Sequence, residues 1–130
     1  MVADCIKHWR RRQELLDKKI YITGDKHGNF SDIGKFCVKT KTKKDDIMII
    51  LGDAGINYYG NKKDIKLKES LSNLPITLFC IHGNHENRPE NIDSYQSIEF
   101  MGGIAYIEPN YPNIVFAKDG EIYNINNYKC

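Results

Sequence analysis

Three apolar runs, each closed by a glycine and a side chain able to hold a metal, constrain this chain more than any other feature. Ile20-Tyr21-Ile22 precedes Gly24-Asp25-Lys26-His27-Gly28, Ile47-Met48-Ile49-Ile50-Leu51 precedes Gly52-Asp53, and Ile76-Thr77-Leu78-Phe79-Cys80-Ile81 precedes Gly83-Asn84-His85-Glu86. One such motif is a common surface turn. Three in series place carboxylate, imidazole and carboxamide groups at the ends of successive strands, where neighbouring parallel strands share one edge and ligands collect.

The segments between the runs read as helices. Residues 19–23 form a first strand, a helix follows from Ser31 as N-cap to about Lys39, and 47–51 is a second strand whose continuous apolar character suits coverage on both faces. A helix over 62–73, with Ile65, Leu67, Leu71 and Leu74 toward the core, ends at Pro75, and 76–82 is a third strand. This βαβαβ order requires a parallel sheet with right-handed crossovers, an α/β fold. After Pro89 short strands at about 104–108, 114–118 and 121–126 are expected, with Asp119-Gly120 as a hairpin turn between the last two.

With 130 residues the chain is one domain long, and its net charge of +2 argues against nucleic acid or an acidic membrane as partner. No apolar run is long enough to span a bilayer, and the opening residues are charged where a signal peptide would be apolar. Residues 1–18 read as a basic helical extension carrying Ile6, Trp9 and Leu16, with the domain proper over 19–130. Cys5, Cys37, Cys80 and Cys130 form no Cys-x-x-Cys pair. Cys37 and Cys80 read as buried thiols, which together indicate a reducing, cytoplasmic setting.

Asp25 and His27 stand two apart, a spacing that puts both on one side of an extended chain. One carboxylate and one imidazole are ordinary ligands for zinc, manganese or iron. Asp53 follows the second strand as Asp25 follows the first, so the two lie close and Asp53 can bridge two cations. Asn84 offers a neutral oxygen ligand. His85, aimed elsewhere, can donate a proton to a leaving group. Glu86 reads as a helix-start carboxylate, and Arg88 as a solvated side chain that can also meet a phosphate.

Taken together, Gly-Asp-x-His-Gly, Gly-Asp and Gly-Asn-His-Glu, in this order and at gaps of roughly 25 to 30 residues, one crossover each, resemble the calcineurin-like metallophosphoesterase superfamily over residues 19–126. The resemblance implies a two-sheet sandwich and hydrolysis of a phosphate mono- or diester at a site of two divalent cations (manganese, iron or zinc). It implies Asp25 and His27 as first-site ligands, Asp53 as the bridge, Asn84 as a second-site ligand and His85 as the catalytic imidazole.

The chain departs from that pattern in two places. The family adds three later histidines, including a Gly-His-x-His, whereas the four histidines here are His8, His27, His82 and His85. The second cation is left with Asp53 and Asn84 alone, so its site is expected to be weak and the fold to be the first half of a sandwich. Its exposed inner face then predicts association with a second copy or a complementary chain. A non-catalytic module binding a metal, a phosphorylated ligand or a protein is the alternative. Ile56 also replaces the aspartate that often orients the catalytic histidine, leaving Asn57 or a backbone carbonyl for that task.

Overall fold

The computed structural model describes residues 18–130, so the expected basic extension lies, but for its last residue, outside the described residues. Three parallel strands alternate with two helices: β1 (Ile20–Thr23), α1 (Ser31–Thr40), β2 (Ile47–Leu51), α2 (Lys62–Ser72) and β3 (Thr77–Ile81). A 3-10 turn, Pro89–Asn91, leads to β4 (Gln96–Phe100), β5 (Gly103–Ile107) and β6 (Ile114–Ala117), and a small hairpin of β7 (Asn124–Ile125) and β8 (Tyr128–Lys129) closes the chain. The main sheet has the order β1-β2-β3-β6-β5-β4. Pairing is parallel from β1 through β6 and antiparallel from β6 to β4. Among the described residues no helix is long and apolar enough to cross a membrane.

Because β1, β2 and β3 advance in one direction, right-handed crossovers put both helices on the same face. There Ile33, Cys37 and Leu71 pack on Met48, Ile50, Leu78, Cys80 and Phe116. The opposite face buries Ile47, Phe79, Ala105 and Val115 under Tyr123 and Ile125 of the terminal segment. Phe79 anchors it, with ring centroids 5.0 Å from both Phe100 and Tyr123. Coverage of that face fades toward the carboxyl ends of the parallel strands. Ile22, Leu51 and Ile81 are 66%, 56% and 37% exposed, so β2 is covered on both faces only at its start.

Several expectations are corrected. Ser31 is the first helical residue and not the cap: its amide and hydroxyl both donate to Asn29 Oδ1 (3.2 and 2.9 Å). Ile65 faces solvent, and α2 buries Leu71 fully and Leu67 in part. The Lys118–Glu121 turn does not return a strand to β6, because β3 and β5 already occupy both of its edges. The hairpin forms one segment later, where Asn126 and Asn127 take φ 49° and 69° and Tyr123 pairs with Cys130. A further strand, β4, joins the sheet through a Met101-Gly102 turn. Cys37 and Cys80 are buried free thiols, as read from their surroundings.

Candidate metal centre

Each motif begins just past the carboxyl end of β1, β2 or β3, and backbone bonds join the three loops. Lys26 and His27 amides donate to the Asp53 carbonyl (3.1 and 2.9 Å), and the Gly28 amide donates to Ala54 O at 2.9 Å. This approach leaves no room for a side chain at Gly55, where a Cβ would lie 2.9 Å from Gly28 Cα on a backbone at φ 78°. Lys26 reaches back to Asp32 in the first turn of α1 at 2.6 Å, and that ammonium holds the Asp32 carboxyl below its ordinary value.

The third loop is tied to the second through side chains. Asp53 Oδ1 accepts the His85 amide at 3.0 Å, and Oδ2 lies 3.0 Å from His85 Nδ1. The bonds from the His85 ring and amide hold the Asp53 carboxyl below its usual 3.8. An ionised carboxylate only accepts, so Nδ1 carries the hydrogen and Nε2 is the nitrogen left free. Gly83 is required here for space alone, since a Cβ would lie 2.7 Å from Asp53 Cγ. Glu86 Oε1 accepts from the amides of Ala54 (3.3 Å) and Gly83 (3.2 Å). Burial raises its carboxyl above the ordinary 4.5.

Asp25 and His27 meet at 2.6 Å through Oδ2 and Nε2, both side chains more than half exposed. Their meeting does not come from extended backbone: His27 takes φ 47°. The His27 and His85 rings are 6.0 Å apart, so the first and third motifs face one another. Asn84 is exposed on the third loop.

Arg88 pairs with Asp119 on the loop after β6, an exposed ion pair that engages its guanidinium. Glu86 does not start a helix, because the chain bends there and the next regular turn is Pro89–Asn91. Asp53 itself orients His85. Asn57 is buried and donates to the Tyr95 hydroxyl at 2.8 Å, while Ile56 lies in the core. A glutamate three residues after a turn glycine is placed to reach back to free amides, and that spacing was the available signal for Glu86.

Oxygen and imidazole donors of this kind suit a divalent cation. As arranged they form two carboxylate–imidazole pairs, and among the described residues no three His, Cys, Asp or Glu side chains converge on one point.

The chain is thus a mostly parallel α/β domain with carboxylates and imidazoles gathered at the carboxyl edge of its sheet. The family model for calcineurin-like phosphoesterases matches residues 18–130, and the chain belongs to that family. Such domains carry a phosphoesterase-type function, act on phosphate esters and generally use divalent metals. No curated protein and no solved structure matches the chain.

Proposed function

We propose that this domain hydrolyses a phosphate mono- or diester with the help of bound divalent cations. The observation that carries the proposal is the Asp53–His85 pair at the junction of the three loops, which fixes an imidazole with its Nε2 free beside a set of oxygen donors. Asp25, His27 and Asp53 would hold a first cation and Asp53 with Asn84 a weaker second, the exposed Asp25, His27 and Asn84 turning toward the fixed Asp53 carboxylate. Cations held there would supply activation of water and charge neutralisation on the phosphoryl oxygens. Hydrolysis joins a water oxygen to phosphorus and breaks the bond to the alcohol. Protonated at Nε2, His85 gives its proton to the departing oxygen, and the proton lost by water restores it.

Further donors, in this reading, reach the centre from another segment or a second copy. The exposed apolar ends of β1, β2 and β3 beside the loops support that part. The free buried thiols support a cytoplasmic setting. Manganese-dependent hydrolysis of chromogenic phosphomonoesters and diesters, lost in Asp53→Asn, is the expected result. Absence of hydrolysis with manganese still bound would overturn catalysis and favour a non-catalytic binding module.

A further inference from the structure

Beside His27 and His85 opens a cleft of about 540 Å³ whose far wall is the loop between β2 and α2. That volume is in the range of sites for small molecules. Tyr58 and Tyr59 line it, 55% and 56% exposed, with ring centroids 5.0 Å apart and planes at 87°. Two exposed rings at right angles on a cleft wall form a corner. A flat aromatic group entering it stacks on one ring and meets the other edge to face, both favoured geometries.

The corner is built, not incidental. Asp64, buried in the first turn of α2, accepts the amides of Tyr59 (3.1 Å) and Gly60 (2.6 Å) and so fixes the loop carrying the tyrosines. Asn61 caps the helix through the Lys63 amide at 3.0 Å. Lys63 then lays its ammonium 4.7 Å from the Tyr59 centroid, inside the cleft lining. The cation polarises the corner toward an electron-rich ring and offers a positive charge to an anionic oxygen. Asp64 also lines the cleft, but both its oxygens are engaged by the loop.

Resting on the phosphoesterase reading for the reaction itself, we propose that this cleft is the leaving-group subsite and takes a nucleoside. The base lies in the Tyr58–Tyr59 corner near Lys63, and the phosphate points to His27 and His85. Hydrolysis then breaks the bond between phosphorus and the nucleoside oxygen, which leaves as the alcohol with the proton from His85.

Two measurements on the whole chain separate the subsite from the chemistry. The first is an NMR titration in EDTA with adenosine, ribose and phenol, where no turnover occurs. Adenosine is expected to bind at least about tenfold more tightly than ribose, within what one base–aromatic stack contributes, and to shift the Tyr58, Tyr59 and Lys63 amides. The preference should collapse to about twofold in Tyr58→Ala/Tyr59→Ala and persist in Tyr58→Phe/Tyr59→Phe, which also controls for folding. Equal binding of adenosine and ribose, a preference that survives the double alanine variant, or phenol binding as tightly as adenosine overturns the proposal.

The second measurement is phosphate release from adenosine 5′-monophosphate and ribose 5-phosphate with manganese. A kcat/KM ratio favouring the nucleotide, lowered in the double alanine variant, supports the subsite. Equal kcat/KM values overturn the subsite and leave the phosphoesterase reading standing. Adenosine binding without any hydrolysis does the reverse.

Discussion

Replacing Glu86 tests how the centre is assembled, because one carboxylate oxygen serves amides from two of the three loops. In Glu86→Ala the amides of Ala54 and Gly83 lose their acceptor. A buried donor left unpaired costs about 1–3 kcal/mol. Ala54 is fully buried and suffers the whole penalty, while Gly83 is half-buried and regains part of it from water. The sum is about 2–4 kcal/mol, a fall in Tm of about 8–16 °C at roughly 4 °C per kcal/mol for a domain of this size. Glu86→Gln keeps a carbonyl oxygen in the same place and is expected to cost less than about 1 kcal/mol at neutral pH.

Its pH dependence gives a second, independent check. Burial raises the folded carboxyl above 4.5, and Oε2 is buried with no partner. The folded state therefore binds the proton more tightly than the unfolded chain. The favourable contribution is fully present below about 4.5 and is lost as pH rises through the folded value. The glutamine variant does not titrate, so its stability relative to the native chain should improve as pH rises from 4.5. Urea unfolding at a series of pH values, with m unchanged, measures both effects. A native-like Glu86→Ala, or a Glu86→Gln as damaging as the alanine variant, would refute the two-amide clamp; a pH-independent difference would refute the raised carboxyl.

Other substitutions follow from the same geometry. Gly83→Ala forces a methyl onto Asp53 and should cost about 1–3 kcal/mol in urea unfolding. By contrast Gly34→Ala, in the middle of α1 with nothing nearer its Cβ than Leu74 Cδ2 at 3.9 Å, should stabilise by about 0.5–1 kcal/mol. The buried Lys68 pairs with the partly buried Glu108, to which the Ser94 hydroxyl also donates at 2.7 Å. Lys68→Met strands the carboxylate and should cost about 3–5 kcal/mol, most of it recovered in Lys68→Met/Glu108→Leu. Phe79→Ala empties the centre of the face opposite the helices, where Phe79 is 1% exposed, for about 3–5 kcal/mol by thermal or urea unfolding.

The parallel half of the fold was legible because its signals are strong and local. Ile47–Leu51 is a continuous apolar run bounded by Asp46 and Gly52, and the strand occupies those residues and no others. The second half was less legible because its strands draw their identity from neighbours. Gln96, Ser97 and Glu99 are polar, so β4 reads as loop until β5 supplies the partner that pairs Ile98 with Ala105 and Phe100 with Gly103. Asp119-Gly120 does turn, as its composition requires. Whether a turn becomes a hairpin depends on a free edge on the preceding strand, and sheet order is not written in the turn.

For the centre, sequence spacing placed the three motifs on one sheet edge, but not which side chains meet. Asp53 finds His85 across 32 positions, and Glu86 reaches Ala54 across the same separation. Those contacts follow from the positive φ of His27 and Asp53 and the absence of side chains at Gly55 and Gly83, which no hydrophobic pattern reports. The register adds a link that neither motif nor composition contains. Leu51 lies beside Ile81, and Ile22 beside Ile49, so the exposed apolar row runs directly beneath the three loops. Leu51 stands two residues before Asp53 and Ile81 three before Asn84. Any segment that covers this row must run along the rim of the centre, within reach of its donors. Under the proposed function, a segment that buries the open face is also the one placed to bring further donors to the centre, so the two gains are expected together.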